Sequence, residues 1–217
     1  MMKLYDYLPS QNAWKVRLML NHLGIKYETV EVMIFDGDGR KPEFVAKNPV
    51  GAVPVLELED GRSLPESNAI LMYLAEGTDY LPDDPWLRAQ VARWLFFEED
   101  YVQNGLASLR HWKLTGKDKR YTPEAVAGKR LASEKTLRIL DKWLTGRDFL
   151  VDCGYTIADM AMFGYVGFAH EAGINMGDYP NLSGWADRVR AQPGYLDTYF
   201  PYSIDPSSVN DLPAYQD

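Results

Sequence analysis

The hydrophobic positions of the first 80 residues alternate between the spacing of strands and the spacing of helices. Short stretches with an apolar residue at every second position are separated by stretches in which apolar residues recur every three or four positions. Turn residues such as Gly24 punctuate them. The pattern predicts, in order, a strand at 3–5, a helix from about Ala13 to Leu23, a strand at 27–32, a helix at 42–47, two strands joined at Asp60-Gly61, and a helix from Ser67.

The pattern changes after Gly77. The proline-bearing stretch 81–85 has no period, and from Trp86 onward the apolar spacing is helical, with no convincing strand. The element order βαβαββα of the first part is that of a thioredoxin-like α/β domain with a mixed four-stranded sheet, and the second part is all-α. We therefore predict a thioredoxin-like domain at 1–78, a linker at 79–85 and an all-helical domain with a C-terminal tail at 86–217, with helices at 86–112, 123–145, 156–170 and 181–192.

One helix start is predicted in detail. Thr156 can cap the helix that follows it, and Asp159 can reach back to the backbone of Thr156, which together form a capping box. Tyr155 can pack against Met160 as the hydrophobic staple of the same turn. We assign Thr156 and Asp159 a structural role rather than a catalytic one.

Composition and charge narrow the class of protein. Hydrophobic residues make up 46% of the chain and charged residues 25%, and the net charge of −8 argues against nucleic acid or an anionic membrane as the main partner. The single cysteine, Cys153, excludes an intramolecular disulfide and a Cys-x-x-Cys site, and no apolar stretch has the length of a signal or membrane-spanning segment. We therefore predict a cytoplasmic protein.

The segment 48–56, followed by Glu66-Ser67, predicts a binding site. Pro54 lacks an N–H and tolerates the cis bond, so a turn there would leave the backbone N–H and C=O of Val53 facing a ligand. Ser67 stands where a helix N-cap belongs, so the first turn would attract a carboxylate, while Glu66 would attract an ammonium group. The pair could thus clamp an α-amino acid head group; the alternative is a capping serine beside a solvated glutamate.

Residues 48–54 and the pair Glu66-Ser67 together resemble the glutathione-binding domain of cytosolic glutathione transferases. The likeness covers residues 2–76, and the rest of the chain is similar to the all-helical second domain of that family. The resemblance implies a cis Pro54, backbone pairing of Val53 with the glutathione cysteine, and Glu66-Ser67 on the γ-glutamyl end. It also implies glutathione as co-substrate, no metal, and a homodimer.

Chemistry is expected where the first strand meets the first helix, because a helix N-terminus stabilises a thiolate. The segment 8–17 has no cysteine, so the thiol has to come from glutathione. Ser10 can donate a hydrogen bond to the sulfur anion and resembles the catalytic serine of theta-, delta- and zeta-like transferases. Asn12 resembles the second polar residue of bacterial serine/asparagine-type members (theta-, nu- or zeta-like). Both could instead only cap the helix, and Tyr7 is a third candidate, of the tyrosine type.

Further contacts follow from the resemblance. Many relatives carry Lys, Gln or Arg at the position of Ala52 and hold the glycyl end of glutathione with that side chain. Because this chain has alanine there, we assign the role to Lys41, with Arg40 as the lesser alternative. Asp100 or Gln103 is expected to reach the glutathione of the neighbouring subunit. The electrophile pocket is expected to be lined by Tyr7, Phe97, Tyr101, Arg110, His111 and Trp112. Arg17, on a helix whose other faces are apolar, is interpreted as a buried structural cation.

These features together predict a glutathione transferase. Ser10, aided by Asn12, would keep the glutathione thiol ionised for attack on small hydrophobic electrophiles or organic peroxides, in detoxification. One alternative is a glutathione-dependent disulfide-bond reductase that uses the same site. Another is a non-catalytic binding or chaperone module, against which the intact Ser10, Glu66 and Ser67 argue.

Overall fold

The computed structural model describes residues 1–214, and the chain divides into two compact units. One, here called the N-terminal unit, consists of Met1–Leu74 and the described part of the segment that begins at Leu196. The other, the helical unit, is Ala75–Tyr195. The described part of the C-terminal tail therefore groups with the N-terminal unit, whereas the sequence analysis placed the tail with the helical domain. Long-range contacts account for this grouping, since Asp205 binds Tyr7 and Tyr199 stacks on Trp14.

The N-terminal unit contains a four-stranded sheet in the order β2-β1-β3-β4. β1 is parallel to β2 and antiparallel to β3, and β4 is antiparallel to β3. The predicted thioredoxin-like fold with a mixed sheet is confirmed. The strands are β1 Lys3–Asp6, β2 Glu28–Glu31, β3 Val55–Glu57 and β4 Ser63–Pro65.

Three helices accompany this sheet: α1 Gln11–His22, α2 Pro42–Val45 and α3 Ser67–Ala75. α1 is buried along most of its length, since its residues from Ala13 to Leu20 all lie in the interior. α3 begins at Ser67, as the sequence predicts, but Ser67 is not its N-cap. Its first backbone bond runs from Ile70 N–H to the carbonyl of Glu66 over 2.9 Å, so Ser67 is the first helical residue and not the cap.

The helical unit begins with one long helix that changes its winding. The predicted helix at 86–112 is α4 Pro85–Phe97, a π-helical segment Glu98–Ala107, and α5 Ser108–Thr115. A π-helix of this length is rare, and apolar spacing alone does not distinguish it from an α-helix. The remaining helices are α6 Pro123–Trp143, α7 Ile157–Val166 and α8 Pro180–Arg190.

α7 lies at the centre of the helical unit. All ten of its residues are buried, and it packs against α4, the π-helical segment and α8. The capping box of Thr156 and Asp159 stands at its start. Among the helices described for residues 1–214, none is long and apolar enough to cross a membrane.

Candidate functional site

Ser10 lies between β1 and α1, at the N-cap of the helix. Its Oγ accepts a hydrogen bond from the N–H of Ala13 over 3.2 Å, and its own N–H donates to the carbonyl of Tyr7 over 2.7 Å. A serine hydroxyl has one hydrogen and two lone pairs. The cap uses a lone pair and leaves the hydrogen available to a ligand, so capping and thiolate stabilisation do not exclude each other here.

Asn12, in the first turn of α1, lies beside Ser67, the first residue of α3. The Ser67 hydroxyl donates to Oδ1 of Asn12 over 3.4 Å, a long hydrogen bond. Ser67 is buried and Asn12 is half-buried. The fold therefore brings a residue assigned to the thiol next to one assigned to the γ-glutamyl end, although 55 positions separate them in the chain.

Glu66 holds an unusual backbone conformation next to this pair. Its φ is 72°, and among the described residues it is the one non-glycine residue with a positive φ. Such a conformation costs about 1–2 kcal/mol and is typically found at ligand clamps and active sites. The Glu66 side chain is exposed, so its carboxylate is accessible to a ligand.

The Val53–Pro54 peptide bond, at the entrance to β3, is cis. Asn48 organises the loop that leads to it. Its Nδ2 donates to the carbonyl of Ala52 over 2.8 Å, and its Oδ1 accepts from the N–H of Val50 over 3.1 Å. Because Asn48 is only 3% exposed, it serves the loop and not a ligand.

Lys41 precedes α2 and has an exposed side chain. Its ammonium group pairs with Asp38 over 2.7 Å, and this partner raises the pKa of Lys41. An exposed pair of this kind contributes little to stability and can exchange for another carboxylate. The geometry is thus compatible with the predicted contact to the glycyl end, which stays a prediction.

The hydroxyl of Tyr7 is already engaged. It donates to Oδ2 of Asp205 over 2.7 Å, and the ring packs edge-on against Phe35 with centroids 5.7 Å apart. Burial and the Asp205 carboxylate raise the pKa of Tyr7 far above its ordinary value. A phenol has a single hydrogen to donate, so this arrangement speaks against Tyr7 as the thiolate donor.

Arg17 is the buried structural cation that we predicted. Its Nη1 pairs with Asp6 over 2.6 Å, and its Nη2 donates to the carbonyl of Leu8 over 2.9 Å. Both charged groups are buried, and burial raises the pKa of Asp6 in spite of the guanidinium. The pair fixes the loop two residues before Ser10.

In the helical unit, Phe97, Asp100 and Tyr101 line a groove of about 830 Å³ between the π-helical segment and α6. The rings of Phe97 and Tyr101 lie 4.9 Å apart, and the side chains of Asp100 and Tyr101 are exposed. Gln103 lies outside this lining and directs its amide to Glu98 over 3.5 Å. Of the two residues predicted to contact the glutathione of a neighbouring subunit, Asp100 is therefore the more accessible.

The candidates Arg110 and Trp112 do not line that groove. The Arg110 guanidinium is buried and pairs with Glu171 over 2.5 Å. Trp112 stacks on Tyr121 with ring centroids 3.8 Å apart. Both side chains thus have partners within the helical unit.

His111, between them, contacts Nζ of Lys117 at 3.3 Å. Burial, together with the cations Lys117 and Arg110, lowers the pKa of His111 to about 4. The imidazole is therefore neutral at pH 7 and can accept a hydrogen bond from the lysine.

The sequence analysis missed one residue that contacts the site region and assigned a different partner to another. Asp205 accepts a hydrogen bond from Tyr7, 198 positions away in the chain. The proline- and serine-containing segment around Asp205 has no pattern that predicts this contact. Arg40 was considered only as a ligand contact, whereas its guanidinium binds the carbonyls of Val50 and Pro213. The motif Asn48-Pro49 was part of the resemblance, but its clamp on the loop was not foreseen.

The helical unit also contains Cys153, which is exposed. Partial burial of its thiol raises the pKa of Cys153. No other thiol is present in the chain. Within residues 1–214, no group of three or more His, Cys, Asp or Glu side chains is arranged to hold a metal ion.

Comparisons with known proteins identify the family of the chain. The family model for the glutathione S-transferase N-terminal domain matches residues 4–79, and that for the C-terminal domain matches residues 89–193. The chain is 28% identical over 200 residues to the disulfide-bond oxidoreductase YfcG of Escherichia coli, covering 89% of this chain and 92% of that protein.

Two solved structures are similar along most of their length. A glutathione S-transferase from Pseudomonas fluorescens has a TM-score of 0.86 and 39% identity, over 90% of this chain and 97% of that one. A glutathione transferase from Pseudomonas putida, solved with one glutathione disulfide bound per subunit, has a TM-score of 0.76 and 27% identity, over 89% and 88%. The chain therefore belongs to the glutathione S-transferase family.

Proposed function

We propose that this chain is a glutathione transferase whose N-terminal unit binds glutathione and keeps its thiol ionised. The observation that carries the proposal is the start of α1. Ser10 caps the helix with a lone pair and retains its hydroxyl hydrogen, next to Asn12, which touches the Ser67 of the γ-glutamyl clamp. A donor at a helix N-terminus favours the sulfur anion over the thiol.

The proposed pose follows the chain. The cysteine backbone of glutathione pairs with Val53 before the cis bond, and its γ-glutamyl ammonium and carboxylate meet Glu66 and the first turn of α3. The sulfur then points to Ser10. Lys41 takes the glycyl carboxylate by exchange from Asp38.

The reaction can proceed with these groups. The glutathione thiol loses its proton to solvent, and the thiolate attacks a small hydrophobic electrophile. A carbon–sulfur bond forms, and the leaving group departs with its electron pair. With an organic peroxide, the thiolate attacks oxygen, an alcohol leaves, and a second glutathione resolves the sulfenic acid to glutathione disulfide and water.

Disulfide reduction is the second candidate, favoured by the relative named disulfide-bond oxidoreductase. A glutathione thiolate would attack a disulfide, release one thiol and form a mixed disulfide, and a second glutathione would release the other thiol as glutathione disulfide forms. The absence of a cysteine from residues 8–17 requires both attacking sulfurs to come from glutathione.

We further propose a cytoplasmic homodimer in which Asp100, and less directly Gln103, approaches the glutathione of the neighbouring subunit. The family resemblance supports this arrangement, as does the exposure of Asp100 and Tyr101 on one groove. For the electrophile pocket, Phe97 and Tyr101 are our first candidates, because both line this groove. The other predicted pocket residues lie outside its lining and stay predictions: Tyr7, Arg110, His111 and Trp112.

Calorimetric titration with glutathione, followed by turnover assays, tests the proposal. We expect binding by the parent protein and about tenfold weaker binding by Glu66→Gln, which keeps the size of the side chain and removes its charge. Arg62→Gln, which loses a charge at an exposed turn of the same unit, is the control. Parent protein that fails to bind glutathione would refute the proposal.

Turnover then separates the candidates. A chlorinated nitroaromatic, an organic hydroperoxide and a small disulfide are compared at equal glutathione concentration. Turnover of the aromatic or the hydroperoxide supports the transferase, and turnover of the disulfide alone supports the reductase. Binding without turnover of any substrate would favour a non-catalytic module.

A further inference from the structure

The guanidinium of Arg40 joins two distant parts of the N-terminal unit. Its Nη1 donates to the carbonyl of Val50 over 2.9 Å, and its Nε donates to the carbonyl of Pro213 over 3.0 Å. Both acceptors are backbone atoms, 163 positions apart. The planar guanidinium holds its N–H groups in a fixed, spaced geometry, whereas the ammonium of lysine is a compact group at the end of a flexible stem.

Arg40 acts on a loop that has little freedom. Gly39 and Gly51 approach so closely that a Cβ on either would overlap the carbonyl oxygen of the other, and a Cβ on Gly51 would also lie 2.6 Å from Nη1 of Arg40. Gly51 has φ 69°, which favours glycine. The segment before Arg40 is thus seated directly on the loop 48–53.

That loop delivers Val53 to the ligand in the proposed pose. Asn48 holds it from inside, through Ala52 and Val50, while Arg40 holds the outer carbonyl of Val50. A shift of the loop would move the N–H and C=O of Val53 away from the glutathione cysteine. A shift of about 1 Å takes a backbone hydrogen bond outside its normal range of distances.

The other end of the bridge belongs to the C-terminal segment, which contacts the start of α1 as well. Tyr199 stacks on Trp14 with ring centroids 5.4 Å apart, and the Phe200 ring lies 5.6 Å from the guanidinium of Arg17. Asp205 accepts the Tyr7 hydroxyl. The segment therefore approaches the proposed glutathione site from two sides. It reaches the loop at Val50 through Arg40, and it contacts Tyr7 and Trp14, which flank the strand-to-helix turn at Ser10.

We propose that the C-terminal segment from Tyr199 to Pro213 is a working part of the glutathione site, and that Arg40 is the positioning residue that couples the segment to the Val53 loop. The inference rests on the proposed function. The C-terminal segment would then contribute to glutathione affinity, although the predicted domain division placed it outside the glutathione-binding domain.

Because coupling between two sites is reciprocal, glutathione must also stabilise the segment. Hydrogen exchange of the parent protein, followed by mass spectrometry, measures this. We expect slower amide exchange in peptides from the segment at saturating glutathione. Unchanged exchange there, with glutathione bound, would refute the inference and leave the proposed function intact.

Arg40→Lys provides the second test, because it keeps the charge and loses the planar guanidinium. We expect the KM for glutathione to rise about fivefold while kcat and the pKa of the bound thiol stay unchanged, and we expect the protection of the segment to shrink. Arg62→Lys is the matched control, because the Arg62 guanidinium binds Asp60 within its own exposed turn.

The outcomes separate the two claims. A parent protein that does not bind glutathione in calorimetry refutes both the proposed function and this inference. Normal KM and normal protection in Arg40→Lys refute the coupling alone. If the variant does not fold, the exchange experiment on the parent protein still decides.

Discussion

The starts of α1 and α7 have the same kind of cap but differ in how many hydrogen bonds the capping residues make. In each, a hydroxyl residue caps a helix, Ser10 in the N-terminal unit and Thr156 in the helical unit. Ser10 makes one capping bond and is half-buried. Thr156 and Asp159 are completely buried and bonded to each other as well as to the backbone.

At the start of α7, both carboxylate oxygens of Asp159 accept hydrogen bonds. Oδ1 of Asp159 accepts from the N–H of Leu150 over 3.0 Å and from the indole of Trp185 over 2.8 Å, while Oδ2 accepts from the N–H of Thr156 over 3.0 Å. Burial raises the pKa of Asp159 to about 6. A cap whose atoms are all used can stabilise a fold, whereas a cap with a hydrogen to spare can also serve a ligand.

The largest effect is expected from Asp159→Ala. It leaves the buried donors of Leu150, Thr156 and Trp185 without their acceptor, so we expect the free energy of unfolding to fall by about 3–5 kcal/mol. Urea denaturation measures it. Asp84→Ala, which removes an exposed single-bond cap at α4, should cost only about 1 kcal/mol. Equal losses in the two variants would contradict the contrast.

Ser10→Ala should lower stability less than Asp159→Ala does, but it should lower activity strongly. We expect a loss of about 1 kcal/mol in unfolding free energy, and a fall of roughly 100-fold in kcat/KM with the pH–rate profile moved to higher pH, because the bound thiol loses a donor. The profile between pH 5 and 9 gives the apparent pKa.

Thr122→Ala is the matched control for that serine. Thr122 caps α6 through one bond to Ala125 and is exposed in the helical unit. It should show the same small stability loss and no change in kcat/KM. An unmoved pH–rate profile in Ser10→Ala would leave the serine as a cap alone.

His111 offers a pH test within the helical unit. Its folded pKa of about 4 lies below the ordinary 6.5, so the unfolded chain binds the proton more readily between these values. The stability that His111 contributes should be complete above pH 6.5 and be lost as the pH falls toward 4. We expect the unfolding free energy of the parent, relative to His111→Gln, to drop by about 2 kcal/mol across this range. The contribution of Asp159 is common to both proteins and cancels. A constant difference would contradict the assignment.

The smallest effect is expected from Tyr7→Phe. The change removes the donor to Asp205 but keeps the ring, so we expect a stability loss of about 1 kcal/mol. Turnover and the pKa of bound glutathione should stay near the parent values. A large upward shift of that pKa would instead make Tyr7 the thiolate donor.

Local chemistry explains which features the sequence predicted. The capping box lies within four consecutive residues, and the order of strands and helices along the chain follows from short alternating stretches with a turn at Asp60-Gly61. The cap at Ser10 could be foreseen for the same reason, since its partner Ala13 is three residues away. Interactions within one turn can be inferred from composition and spacing.

The remaining features depend on distance in the chain. The contact of Asn12 with Ser67, the bond of Tyr7 to Asp205 and the bridge of Arg40 each join residues that become neighbours only on folding. The π-helical winding of 98–107 was missed as well, because its apolar spacing resembles that of an α-helix.

The raised pKa of Cys153 has a practical consequence for reactivity. In the proposed function the reacting sulfur comes from glutathione, and a Cys153 thiol that stays protonated competes less well for reactive substrates. Near neutrality, a mild alkylating agent should therefore modify bound glutathione faster than Cys153, so that the ratio of the two adducts reports how selectively the borrowed sulfur is activated.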